Sequence, residues 1–139
     1  MWTKSHSITT KEVSAKQMWK LFTDVNNWHS WDSGIEFARL NGKFETGNYF
    51  TLKPKGGPVF KVEIIETAPD KKFADLTRLP LANMKIEHEF TETSSGLKIT
   101  NTVSVSGFLA FLWVKLVAGN IARSFPDDML HEIEAARKL

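Results

Sequence analysis

The sequence contains no cysteine and has almost no excess of either charge. Without cysteine, the chain has neither a disulfide framework nor a cysteine-based zinc site. The 18 basic and 16 acidic residues leave a net charge of only +2, and the scattered lysines argue against a nucleic-acid partner. No two of the four histidines have metal-ligand spacing, and no phosphate-binding cofactor loop is visible. We therefore expect no metal, no cofactor and no nucleic acid.

The sequence also lacks an apolar run long enough to cross a bilayer. Its most apolar run begins at Phe108 and ends at Ala122, which is shorter than the about 20 residues that a spanning helix needs, and Lys115 interrupts it. The first ten residues contain no apolar core of a signal peptide. We therefore expect a cytoplasmic protein without an integral membrane segment, folded as one domain over residues 1–139.

Large aromatic side chains, in contrast, are abundant. Five tryptophans and ten phenylalanines accompany a single tyrosine. In a chain of 139 residues, this number indicates either a dense core or an apolar cavity lined by aromatic rings.

Helical signals occupy two parts of the chain. Ser14 with Gln17 three residues later forms a capping-box pattern at the start of a first helix. Residues 24–34 are typical of a second, short helix or turn. Residues 108–139 predict one long helix, in which Pro126 either introduces a kink or begins a second segment.

The remaining segments predict seven strands, by their period of two and the turns between them: residues 2–9, 35–40, 48–53, 59–67, 72–79, 83–92 and 97–106. Short turns indicate antiparallel pairing, and the apolar face of such a sheet needs a cover. We predict an α+β helix-grip fold, in which a curved seven-stranded antiparallel sheet wraps around a long C-terminal helix. Two short helices follow the first strand, and a cavity lies between sheet and helix.

The turn at residues 54–58 suggests which side chains face this cavity. If the two flanking strands pair so that Lys53 faces Val59, then four apolar residues share one side: Phe50, Leu52, Phe60 and Val62. On the strand at residues 35–40, Phe37 is expected to join this lining.

The next hairpin brings polar side chains to the same surface. Pairing Arg78 with Asn83 places Phe73 inside together with Met84, Ile86, His88 and Phe90, and it also brings in Asp75 and Thr77. A slip by one residue would instead place Ala74, Leu76 and Arg78 inside. We prefer the first register because it buries Phe73. Asn101 of the last strand belongs to the same face.

Asp75, Thr77, His88 and Asn101 therefore form a predicted polar set on an apolar surface. Asp75 lies diagonal to His88 on the adjacent strand, where a carboxylate would raise the pKa of the imidazole. His88 is open to three interpretations: a core histidine satisfied by Asp75, Asn101 or water, a residue that orients a ligand, or a general acid/base.

Two further regions remain open to more than one interpretation. Trp28 and Trp31, beside the second short helix, either close the end of the core or form a lid that contacts the ligand. Residues 108–122, apolar on almost all sides, are expected to form a homodimer contact, a membrane-surface contact or a wall of the cavity.

Four stretches together resemble one known family: VSAKQMWKLFTDVNNWHSWD, LKPKGGP, KKFADLTRLPLANMKIEHEF and VSVSGFLAFLWVKLVAGNIARSFPDDM. They are similar to the polyketide cyclase/dehydrase-like branch of the START/Bet v 1-like (SRPBCC) superfamily, and they cover nearly the whole chain. The resemblance implies a helix-grip fold with an elongated apolar cavity. That superfamily includes aromatase/cyclases, lipid and sterol carriers, hormone receptors and co-chaperones, so the resemblance supplies no shared catalytic motif.

Two functions are therefore expected from the sequence. The first is binding of a hydrophobic small molecule, such as a lipid or a polyketide-like or aromatic compound. The second is a cyclase or dehydratase that uses His88 and Asp75 for proton transfer. We favour binding, because the sequence offers no nucleophile, cofactor loop or metal set. A co-chaperone role through the surface of residues 108–122 is a third, weaker hypothesis.

Overall fold

Seven antiparallel strands form one sheet in the computed structural model, which describes residues 1–139. They are β1 (Trp2–Thr10), β2 (Ile35–Leu40), β3 (Tyr49–Pro54), β4 (Phe60–Ala68), β5 (Lys72–Leu79), β6 (Ala82–Thr93) and β7 (Gly96–Ser106). Their order across the sheet is β1-β7-β6-β5-β4-β3-β2. The predicted meander is confirmed, and β1 joins it at the edge formed by the last strand.

Two short helices connect the outermost strands β1 and β2. Helix α1 (Ala15–Thr23) is followed by a 3₁₀ helix (Val25–Ser30). The predicted capping box is present: the Gln17 amide donates to Ser14 Oγ at 3.1 Å, and the Ser14 amide donates to Gln17 Oε1 at 2.9 Å. These bonds satisfy two backbone donors that would otherwise be unpaired at the helix start.

The C-terminal helix is continuous but not uniform. Helix α2 (Ala110–Trp113) leads into a π-helical turn (Val114–Ala118) and then into α3 (Gly119–Arg137). Pro126 lies inside α3, so the alternative that a second segment begins there is wrong. The irregular turn lies earlier instead. A Cβ at Gly119 would lie 2.7 Å from the Val114 carbonyl oxygen, so glycine accommodates the wider turn.

The strand registers agree with those predicted for both hairpins. Phe50 pairs with Val62 and Leu52 with Phe60 across β3 and β4. Across β5 and β6, Arg78 pairs with Asn83, Thr77 with Met84, Asp75 with Ile86 and Phe73 with His88. The same face continues onto β7, where Asn101 pairs with His88. The slipped register, which would have turned Arg78 inward, is excluded.

The core occupies only part of the space between sheet and helix. Met18 of α1, Met129 of α3 and Ile99 of β7 have no exposed surface, and together they belong to one apolar cluster. This cluster combines side chains of α1, α3 and the sheet. The region between the sheet and the helix from Leu116 to Glu132 is not filled, and a cavity remains there.

The junction between β7 and α2 is held tightly, whereas the apolar segment that follows is exposed. Gly107 has φ +112°, and a Cβ there would lie 2.8 Å from Ala82 Cα, so this turn requires glycine. Phe108, Phe111 and Leu116 are 84%, 73% and 54% exposed. A homodimer through residues 108–122 stays a prediction. None of the helices combines the length and apolar character needed to cross a membrane.

Candidate ligand cavity

A cavity of about 760 Å³ lies between the concave face of the sheet and the C-terminal helix. Strands β2 to β7 form one wall, and the C-terminal helix from Leu116 to Glu132 forms the other. Small-molecule sites typically have volumes of about 300–1,000 Å³ and mostly apolar walls with a few polar groups. This cavity has both properties, because 14 of its 25 lining residues are hydrophobic.

The structure brings most of the predicted site residues together around this cavity. Of that set, the cavity is lined by Trp28, Trp31, Phe50, Leu52, Phe60, Val62, Asp75, Thr77, Met84, Ile86, His88 and Asn101. They come from the strand faces that the hairpin registers turn inward, together with the two tryptophans at and after the 3₁₀ helix. Whether they bind a ligand stays a prediction.

Two predicted residues, Phe37 and Phe73, do not line the cavity. A β-bulge between Ile35 and Phe37 reverses the alternation of β2, so Ile35 lines the cavity while Phe37 packs under the Arg39 guanidinium at 4.7 Å. Phe73 has no exposed surface and lies behind His88, with their ring centroids 4.5 Å apart. Phe73 therefore supports the wall from the core.

His88 is held as a neutral ring on the cavity wall. Its imidazole packs against the rings of both Phe22 and Phe73, at centroid distances of 4.7 and 4.5 Å. Its Nδ1 lies 2.9 Å from Asn101 Oδ1, so Nδ1–H donates and Nε2 keeps a free lone pair. Burial lowers the pKa of His88 to about 4, although the Asn101 hydrogen bond opposes the shift. The ring is therefore uncharged at neutral pH.

Asp75 does not pair with His88, which corrects two predictions. The His88 imidazole makes its hydrogen bond to Asn101 on β7, away from the strand that carries Asp75. The predicted rise in the pKa of His88 from a neighbouring carboxylate is therefore wrong. Asp75 is itself 6% exposed, and burial raises its pKa to about 7. Close to neutral pH, both forms of this carboxyl group are populated.

Trp28 and Trp31 differ in burial, and a lid role for either of them stays a prediction. Trp28 is buried and donates from Nε1 to the Phe22 carbonyl oxygen at 3.1 Å, and its ring lies 5.0 Å from that of Phe50. Trp31 is only half-buried and borders both the cavity and an adjoining surface depression. Trp28 thus closes the core, while Trp31 lies at the rim.

Three carboxyl groups that the sequence did not predict as site residues also line the cavity. Asp128 and Glu132 belong to α3, as does Phe125, and Asp32 lies in the turn after the 3₁₀ helix. A signal was available, because Asp128 and Glu132 follow Phe125 by three and seven residues and so lie on the same helical face. The cavity wall thus carries four carboxyl groups but only one lysine, Lys55, in a chain of net charge +2. No three His, Cys, Asp or Glu residues form a group that could hold a metal ion.

Sheet, helix and cavity together define a helix-grip protein. The family of polyketide cyclases / dehydrases and lipid transport proteins matches residues 1–133. The chain belongs to this family, and the predicted membership of the START/Bet v 1-like superfamily is confirmed. No curated protein sequence matches the chain.

Solved structures with low sequence identity share the fold. Aha1 from Colwellia psychrerythraea, described as a dimer, is 12% identical with a TM-score of 0.73, over 99% of this chain and 97% of that one. Norcoclaurine synthase from Thalictrum flavum is 12% identical with a TM-score of 0.71, over 99% and 84%. Protein MLL2253 from Mesorhizobium loti is 15% identical with a TM-score of 0.66, over 99% and 95%. At such identities the likeness establishes the fold alone.

Proposed function

We propose that the chain binds an apolar small molecule in the cavity between sheet and C-terminal helix. The observation that carries this proposal is the unfilled volume of about 760 Å³ beside an otherwise well-packed core. Protein interiors normally pack with few voids larger than a water molecule. Apolar walls favour an occupant that removes its own apolar surface from water.

Titration with N-phenyl-1-naphthylamine, a neutral apolar fluorophore, tests this proposal. Saturable binding should increase its fluorescence and raise the melting temperature of the protein, because a ligand of the folded state stabilises it by mass action. Val62→Phe should weaken this binding at least about tenfold by filling the cavity, equivalent to about 1.4 kcal/mol.

The matched control for this experiment is Val59→Phe. Val59 is 54% exposed and does not line the cavity, so the same change in side-chain volume falls on the surface. The control should bind the fluorophore like the unmodified protein. Equal binding by both variants, or no saturable binding by any of the three proteins, would contradict the proposal.

A dehydratase or cyclase activity is the second candidate, supported by two groups on the same wall. Asp75 has a pKa raised to about 7, and neutral His88 has a free Nε2 lone pair. A carboxyl group that exchanges its proton near neutral pH suits general acid/base catalysis, which typically contributes about 10²–10⁴-fold. In a dehydration, the ionised Asp75 carboxylate would take the proton α to a carbonyl and pass it to the β-hydroxyl group as the C–O bond breaks, so that the hydroxyl leaves as water and a C=C bond forms.

The test uses 3-hydroxybutyryl-N-acetylcysteamine, a β-hydroxy thioester, and follows its conjugated enoyl product by absorbance. If the second candidate holds, Asp75→Asn and His88→Ala each lower the rate, by about 10²-fold or more for the residue that transfers the proton. No turnover by the unmodified protein, or equal turnover by all three, would leave binding as the function.

A further inference from the structure

The C-terminal helix places one carboxylate oxygen, Glu132 Oε2, at the cavity without a hydrogen-bond partner. Glu132 is 6% exposed and lines the cavity. Removing a carboxylate from water without a partner is strongly unfavourable. A ligand that supplies a complementary group would remove this penalty, so the position favours one kind of ligand over others.

The acidic groups nearest to Glu132 favour a positively charged ligand at this position. Burial raises the pKa of Glu132 well above its ordinary value, and the charges of Asp128 and Asp32 raise it further. A side-chain hydrogen bond with Asn101 opposes the shift. Asp128 precedes Glu132 by one helical turn, and Asp32 lies in the turn after the 3₁₀ helix. No arginine or lysine lies among these three carboxyl groups, so no cation offsets their like charges.

The other titratable groups around this end of the cavity do not neutralise it. Burial raises the pKa of Asp128, and the exposed His131 lies beside Asp128 on the outer side of the helix, away from the cavity lining. Across the cavity lie Asp75 and the neutral His88, and the exposed Lys55 belongs to the turn between β3 and β4.

We propose that Glu132, with Asp128 and Asp32, receives the ammonium group of an amphipathic organic amine whose apolar body occupies the rest of the cavity. This inference rests on the proposed function, because the body of the amine uses the same apolar walls. Trp28 and Trp31 line the same cavity, and aromatic rings attract cations because their faces carry negative charge. A fatty-acid carboxylate would meet charges of its own sign here.

Binding of an amine should be linked to release of a proton. Burial and its acidic neighbours raise the pKa of Glu132 well above its ordinary value, so without a cationic ligand this carboxyl group keeps its proton to a higher pH than an exposed glutamate does. An ammonium group favours the ionised carboxylate, so the proton moves from Glu132 to the buffer as the ion pair forms. A neutral ligand in the same cavity would leave the proton in place.

Three ligands with one ring system and different head groups test the inference. 1-Naphthylmethylamine, 1-naphthylmethanol and 1-naphthoate are titrated by isothermal calorimetry in two buffers of different ionisation enthalpy. The amine should bind at least about tenfold more tightly than the alcohol, as expected for a charge-assisted contact, and only its heat should depend on the buffer. The naphthoate should bind most weakly.

Glu132→Gln should remove the preference for the amine and keep the affinity for the alcohol, which also shows that the variant is folded. Glu134→Gln is the matched control, since Glu134 is exposed on the same helix and pairs with Arg137. Equal affinities for amine and alcohol, or an unchanged preference in Glu132→Gln, would overturn the inference while the cavity function stands. If none of the three ligands binds, the proposed function fails and the inference fails with it.

Discussion

The His88 imidazole and the Asn101 amide form a 2.9 Å hydrogen bond across the β6–β7 pair, between side chains that face the cavity. Asn101 is 1% exposed, so water does not compete for this bond. The bond determines which imidazole nitrogen carries the proton, and it directs the ring away from Asp75. Because Nδ1 is bonded to Asn101, Nε2 is the nitrogen of His88 that could accept a proton or a hydrogen bond from a ligand.

The titration of His88 should reflect its burial. We expect a pKa of about 4, because the charged ring would be buried against two phenylalanines with only an amide as its hydrogen-bond partner. Long-range ¹H–¹⁵N NMR correlations recorded against pH will report both the pKa and the Nδ1–H tautomer. A pKa at or above the ordinary value of 6.5 would instead indicate a carboxylate beside the ring.

Replacing Asn101 with leucine should destabilise the fold. The substitution has a similar volume but leaves the Nδ1–H group of His88 without an acceptor, which typically costs about 1–3 kcal/mol. Urea denaturation of both proteins measures the change in the free energy of unfolding. Thr102→Leu on the solvent-facing side of the same strand is the comparison, and it should have a smaller effect. An equal effect of the two substitutions would contradict the role given to the bond.

Asp75 should make the stability of the protein depend on pH. Its pKa is about 7 in the fold and 3.8 in an ordinary environment, so the folded state retains a proton that the unfolded state has lost. The free energy of unfolding therefore falls as pH rises through this window, by at most about 1.4 kcal/mol for each pH unit.

Asp75→Asn should remove this dependence. The stability of the variant relative to the unmodified protein should increase steadily between about pH 4 and about pH 8. The comparison cancels the contribution of groups that both proteins share. A difference that stays constant across the range would show that Asp75 titrates normally and is not held in a buried site.

The sequence predicted the sheet better than the helix side of the cavity, for a physical reason. Strict alternation in residues 83–90 and the turn at residues 54–58 determine which strand face is apolar, and with it most of one wall. Phe37 was misplaced because a β-bulge reverses the alternation, and nothing in the residues of β2 indicates that bulge.

The interaction partners of the polar residues could be identified only from the folded structure. Asp75 and Asn101 flank His88 on its two neighbouring strands, and the pattern alone did not decide between them. Glu132 was not predicted because the helical pattern shows that it shares a face with Phe125 but not that this face borders a cavity. Its effect depends on Asp32, which is distant in sequence and close only in the fold.

Intermolecular NOEs from bound N-phenyl-1-naphthylamine to the protein methyl groups test the central claim most directly. The account predicts contacts to Met84, Ile86 and Leu52, whose side chains line the cavity. NOEs confined to exposed methyl groups such as those of Leu81 and Leu130, at 66% and 57% exposure, would place the ligand on the surface and contradict the account.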